Sequence, residues 1–286
     1  MQNTARGMLS RAFLTDGGLT IMIESLALYI ALGSVAGVLA GLLGIGGGLV
    51  IVPMLTFSFT WQNVPHEHML HLALGTSLAT IIFTSVSSFR AHNRRGAVNW
   101  AAVKAVTPGI LVGTFAGAFV ASALSTNFLK GFFGIFLYYV AVQMLLNIKP
   151  KPTRQLPGAP GMVAAGGGIG VLSSLVGIGG GTLSVPFLTW CNTPIHTAIG
   201  TASAIGLPLA ISGSLGYVLS GWGQPTLPQY SVGYVYLPAM IGIVSASMLT
   251  APVGVRLAHS LPVPRLKRIF AVLLLAVGTK MLLSLF

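Results

Sequence analysis

Long apolar stretches dominate the chain, and they recur in one order. A first apolar segment at 20–43 runs into Gly44-Ile45-Gly46-Gly47-Gly48. A short apolar piece at 49–60 follows, then three long runs at 72–89, 100–123 and 128–147. The order then repeats: 161–176, the glycines of Gly177-Ile178-Gly179-Gly180-Gly181, a short piece at 182–190, and long runs at 198–220, 232–258 and 266–286. A membrane span needs about 20 apolar residues, so the long runs predict transmembrane helices, and the length allows roughly seven to nine. The short pieces would make helices of roughly 15–18 Å. They would reach from an interface only to about mid-membrane, which puts the glycine breaks near the bilayer midplane.

The recurrence extends to individual residues. Val52-Pro53 follows the first break and Val185-Pro186 the second. His71-Leu72-Ala73-Leu74-Gly75-Thr76 matches His196-Thr197-Ala198-Ile199-Gly200-Thr201, and Gly117, Leu124, Leu129, Lys130 and Met144 match Gly254, Leu261, Leu266, Lys267 and Met281. Collinear matches across both halves point to duplication. The expected fold is an all-α polytopic membrane protein of two homologous repeats, each a glycine-broken segment, discontinuous or re-entrant, plus three transmembrane helices. The divisions are a cytosolic leader at 1–19, a first repeat at 20–148, a charged, Pro-rich linker at 149–160 and a second repeat at 161–286. All four Trp fall near segment ends (Trp61, Trp100, Trp190, Trp222), as residues that prefer the membrane interface do.

Composition supports lipid as the solvent. Charged residues are 6% of the chain, against about 25% in soluble domains, and the mean hydropathy is +0.86. The net charge of +12 comes in short clusters between apolar runs: Arg90/Arg94/Arg95, Lys149/Lys151/Arg154 and Arg265/Lys267/Arg268. That is the pattern of topology signals and headgroup contacts, and it argues against nucleic acid as a partner. The two halves carry opposite charge bias. This suits an inverted repeat if one glycine segment is re-entrant, with a parallel repeat of four crossings each as the alternative. The chain has only three carboxylates, Asp16, Glu24 and Glu67. Cation carriers keep carboxylates in the membrane, so the substrate expected here is an anion.

The breaks are the candidate site. A backbone break in lipid is tolerated where it lines a cavity, and paired broken segments in two halves point to a transporter's binding site. The helix starting after each break offers unpaired N–H groups to an anion. The proposed ligands are Gly46, Gly47 and Gly48 with Gly179, Gly180 and Gly181. The evenly spaced Gly33/Gly37/Gly41 and Gly109/Gly113/Gly117 read instead as helix-packing faces. Thr76 and Ser77, with Thr201 and Ser203, could donate hydroxyls to an oxyanion or back-bond to their own helices. His71 and His196 recur as a pair. His92, among arginines, is a topology signal or part of an anion vestibule. His66, Glu67, His68 and His71 lack the HExxH spacing of a zinc site, so no metal is expected. No cofactor motif and no catalytic motif is present, which argues against an enzyme. One cysteine, Cys191, excludes an intrachain disulfide.

These motifs resemble the TauE/SafE sulfite exporter family of membrane permeases. The resemblance rests on the two GIGGGxxxVP motifs, on Ala73-Leu74-Gly75-Thr76-Ser77-Leu78, and on RAHNRRGAVNW from Arg90 to Trp100. It rests also on Gly221–Arg268 with GYVYLP and LTAPVG, which looks like the family's proteobacterial members. It covers nearly the whole chain. It implies a bacterial inner-membrane secondary transporter for small anionic sulfur compounds: sulfite, sulfoacetate or related organosulfonates. One departure is Ala202 where the first copy has Ser77. An inside-negative potential favours export of a monoanion. An anion channel, or an importer of a different small anion, is the alternative, with a membrane-embedded enzyme more remote. The partners expected are the substrate and the lipid bilayer; the oligomeric state is open, a dimer being one option.

Overall fold

A computed structural model describes residues 16–43, 47–146, 153–260 and 263–285, and side chains at 26–39, 47–146, 153–253 and 268–285. The first half holds α1 (Asp16–Leu43), α2 (Gly48–Trp61), α3 (His66–Arg94), α4 (Trp100–Ala123) and α5 (Thr126–Leu145). The second holds α6 (Ala159–Val176), α7 (Gly181–Trp190), α8 (Ile195–Ser220), α9 (Leu237–Ser260) and α10 (Val263–Leu283). Among the described residues, five helices are long and apolar enough to cross a membrane: α3, α4, α5, α6 and α8. Shorter apolar stretches lie in α1, α2 and α9. The apolar sequence explains both the helices and their outer surface. Val112, Ile135, Leu249 and Ile269 are exposed, as lipid-facing positions are.

The short helices sit where the apolar pieces place them, and each ends at its tryptophan. Pro53 and Pro186 fall in the second turn of α2 and α7, early enough that little of the hydrogen-bond ladder is lost. Two boundaries differ from the sequence pattern. α6 starts at Ala159, inside the expected linker. The run expected from 232 begins as a hairpin, β1 (Ser231–Val232) with β2 (Val235–Tyr236), before α9 starts at Leu237. Gly233 has φ +53 at its turn, and a left-handed residue ends a helical reading there.

Helix direction follows from which residues meet. Gly33 faces Ile243 and Ala246, and Gly37 faces Ser247 and Thr250, so α1 and α9 are parallel. Gly166 faces Val106 and Ile110, and Gly170 faces Ile110 and Thr114, so α4 and α6 are parallel too. These are packing faces: a Cβ on Gly109 or Gly113 would run into the backbone of Val163 or Gly167. Gly41 lies outside the described side chains.

α3 and α8 cross antiparallel, with Leu78 on Gly213 and Ser85 on Gly206, and Ser88 Oγ donating to Ser203 Oγ at 3.1 Å. α5 and α10 are antiparallel as well: Gly134 meets Leu282 and Tyr138 Oη lies 2.6 Å from Thr279 Oγ1. α4 runs parallel to α8, Leu111 lying beside Ser212 and Ala118 beside Gly216.

Candidate functional site

The chain reverses direction between α1 and α2 and again between α6 and α7, and Gly48 at the start of α2 meets the second turn. α2 starts beside Ile81, halfway along α3. It runs back until Thr60 reaches Met69 and Gln62 bonds the Tyr29 hydroxyl of α1. In the other half Gly180, just ahead of α7, lies against Ala202 and Gly206 of α8, and α7 ends just before α8 begins. At the tips, a Cβ on Gly48 would meet Gly177 O and the Ile178 backbone, while Gly177 packs on Val52 and Leu74. The two breaks thus touch, against the crossing of α3 and α8.

The carbonyl end of the second turn is satisfied. Gly177 has φ +65 and caps α6 in the left-handed conformation, with Ile178 N–H donating to Ser173 O at 3.1 Å. This is a helix C-cap that only glycine adopts without strain. Gly177 O itself accepts the Ser77 hydroxyl at 2.8 Å. Gly47, left-handed at φ 75, accepts Val50 and Ile51 N–H, and Gly180 O accepts Ser184 N–H. The N–H groups of Gly48 and Leu49, and of Gly181, Thr182 and Leu183, have no backbone acceptor among the described residues. First-turn amides lack an intrahelical partner and carry the positive end of the helix dipole. Three buried hydroxyls beside the second break are also without a partner among the described residues: Ser173, Thr182 and Ser184. The concentration of unpaired donors suits an anion's oxygens.

The other sequence candidates fall in different places. Gly46 lies outside the described residues. Gly179 packs on Ile81. Thr76 and Thr201 are fully buried and accept backbone N–H groups from the opposite half: Tyr236 to Thr76 Oγ1 and Asn99 to Thr201 Oγ1, each at 2.9 Å. Ser203 donates to Ile199 O at 2.9 Å. His71 is buried with Nδ1 3.0 Å from Glu67 O and Nε2 3.0 and 3.1 Å from Ala121 and Leu124 carbonyls, so backbone occupies both ring nitrogens. His196 is exposed, and His92 is half-buried at the end of α3. Only Ser77 of these side chains touches a break directly.

His66, Glu67 and His68 diverge. His66 Nε2 accepts from Lys130 at 3.1 Å, while His68 lies 3.4 Å from Glu67 on one side and 3.3 Å from the Tyr234 hydroxyl on the other. Burial, then the Glu67 carboxylate, holds the Tyr234 phenol above its ordinary range, so it stays a donor. Among the described residues no three of His, Cys, Asp and Glu gather as a metal would require.

Ser173, Thr182 and Ser184 escaped the sequence reading. A signal was present: at the first break's offset of 133 (residue 44 to residue 177) their counterparts are Ala40, Leu49 and Ile51, so hydroxyls replace apolar residues at the second break alone.

The family described as Sulfite exporter TauE/SafE matches this chain over residues 29–281. A probable membrane transporter protein of Haemophilus influenzae is 40% identical over 264 residues, covering 92% of this chain and all of the relative. One from Methanocaldococcus jannaschii is 30% identical, covering 90% of this chain and 96% of the relative. The protein YunE of Bacillus subtilis, a probable membrane transporter protein, is 30% identical over 69% of this chain and 80% of its own length. No solved structure matches this chain.

Proposed function

This multi-pass membrane protein belongs to the TauE/SafE family of membrane transporters, and we propose that it exports small sulfur oxyanions across the bacterial inner membrane. Sulfite, sulfoacetate and related organosulfonates are the substrate class. The observation that carries the reading is that the start of α2 meets the second break, where the first N–H groups of α7 and three buried hydroxyls have no partner among the described residues. Each helix start contributes about 0.3–2 kcal/mol toward an anion. Two of them, with hydroxyls, make a weak, reversible site, which a carrier needs. The family itself supplies the sulfur chemistry; backbone donors distinguish charge rather than identity.

Helix directions support an inverted repeat. α3 opposes its counterpart α8, and α5 opposes α10. Each glycine-broken pair enters and leaves on one side of the bundle, as a re-entrant hairpin does. With these directions the ends of α3 and α5 and the starts of α6 and α10 fall on one face, which carries Arg90, Arg94, Arg95 and Arg154. Basic loops favour the cytoplasmic side, so that face is read as cytoplasmic and the opposing charge bias of the halves is accounted for. Moving one charge through about 100 mV is worth roughly 2.3 kcal/mol. An inside-negative membrane therefore drives a monoanion outward roughly fifty-fold in concentration without a coupled cation.

Thermal stability of the purified protein with sulfite, sulfate, sulfoacetate, taurine and carboxylate controls tests the substrate class. A ligand at a hundredfold excess over its Kd adds about 2.7 kcal/mol. Sulfite or a sulfonate raises the melting temperature if the reading holds. Stabilisation by carboxylates with none by sulfur oxyanions contradicts it.

A further inference from the structure

We propose that the anion reaches the glycine breaks from the basic face through the seam between α3 and α9, and that a second conformation closes this seam and opens the one between α4 and α8. The proposal rests on the transport reading above.

The two seams are counterparts. α4 and α9 match end to end at an offset of 137 (residue 100 to 237, residue 123 to 260), and α3 matches α8 at 125 (residue 71 to 196). At one end the seams are the same. Gly75 takes Tyr234 O and Thr76 takes Tyr236 N–H, just as Gly200 takes Ala97 O and Thr201 takes Asn99 N–H. Farther along they part company.

Between α4 and α8, Ser212 donates to Leu111 O at 2.6 Å, Thr114 packs on Gly213, and Phe115 and Ala118 pack on Gly216. The counterparts of Ser212, Gly213 and Gly216 are Ser87, Ser88 and Ala91. Those of Leu111 and Phe115 are Met248 and Pro252. Ser212 is 7% exposed and both glycines are buried, whereas Ser87 and Ala91 are exposed; Pro252 is exposed where Phe115 is half-buried, and Leu111 and Met248 are exposed alike. Among the described residues no hydrogen bond replaces the Ser212 contact at Ser87. One seam is shut and its mirror image is parted.

The parted seam suits an anion. Thr84, Ser87 and Ser88 descend α3 from Arg90 and His92, and Ser203 of α8 receives the Ser88 hydroxyl. The next turn inward carries Ser85 against Gly206 and Ile81 against Gly179 of the second break. The opposite end is stoppered by an aromatic pair. Tyr217, the counterpart of His92, is fully buried and donates to Ser174 O at 2.9 Å, and its ring meets Tyr234 edge-on at 6.5 Å. Because the halves match and run in opposite directions, exchanging their seam contacts yields an arrangement open to the other face.

Two cysteine pairs in a Cys191→Ser background test this. Leu111→Cys with Ser212→Cys spans the shut seam, and Ser87→Cys with Met248→Cys spans the parted one. In proteoliposomes both pairs are expected to form disulfides under oxidation, each stopping sulfite flux until reduced. Cross-linking of the first pair alone means a fixed asymmetry and overturns the proposal, as does unchanged flux after the first pair is locked. Single Ser87→Cys and Ser212→Cys variants give a readout that needs no pair. An impermeant maleimide should reach Ser87→Cys from the basic face and Ser212→Cys from the opposite face; labelling of both from one face overturns the idea. Cross-linking needs no substrate, so an absence of sulfite flux alongside both disulfides counts against the substrate class and leaves the seams standing.

Discussion

The same six-residue pattern opens α3 at His71–Thr76 and α8 at His196–Thr201, and the two copies do the same job at one end and different jobs at the other. The Gly-Thr ends are interchangeable: each receives a carbonyl and an N–H from the opposite half's connection. The histidines are not. His71 is buried among three backbone carbonyls, and His196 is exposed. The difference teaches that the duplication preserves what the backbone geometry demands. A side chain's role depends on what happens to lie opposite it.

The largest effect should come at the glycines. Leucine at Gly75 or Gly200 meets the backbone carbonyl of Tyr234 or Ala97, and neither can yield without moving its loop. Both variants are expected to lose the monodisperse peak in detergent size exclusion. Alanine should cost the upper end of the roughly 1–3 kcal/mol typical of overpacking. A large loss at one glycine and none at the other would break the equivalence.

The histidines come next, and here the halves should differ. His71→Ala strands buried carbonyls of α4 and leaves a void, costing about 3 kcal/mol in thermal stability. His196→Ala should stay within about 0.5 kcal/mol, as exposed positions do. Equal losses would show that the recurrence of histidine carries a shared role.

The threonines sharpen the comparison at smaller scale. Thr76→Val and Thr201→Val each leave a backbone N–H without its acceptor, at about 1–3 kcal/mol. The two losses should agree, and Thr→Ser should recover most of each. Recovery at one site only would separate the clasps.

Much of this architecture was legible in the chain. The short helices were expected at 49–60 and 182–190 and lie at 48–61 and 181–190, because glycine clusters, apolar pieces and tryptophans mark their limits locally. The β1–β2 hairpin was not, since its residues are as apolar as the helix that follows. The partners of Thr76 and Thr201 lie 160 and 102 residues away, and no local pattern encodes them. The sequence offers those threonines an oxyanion or their own helix carbonyls as partners, while in the structure both accept from the opposite half's backbone. Thr182 and Ser184 are the opposite case. A hydroxyl in an apolar helix usually bonds its own backbone, and only the structure shows that these two do not.

The central claim is that the substrate anion sits between the two breaks. Selenite, an analogue of sulfite whose selenium scatters X-rays anomalously, tests it in a crystal of the protein. An anomalous peak is expected within hydrogen-bonding distance of the first N–H groups of α2 and α7, near Gly48 and Gly181. A peak confined to the Arg90–Arg95 loop or to Lys130, with the breaks empty, would contradict it.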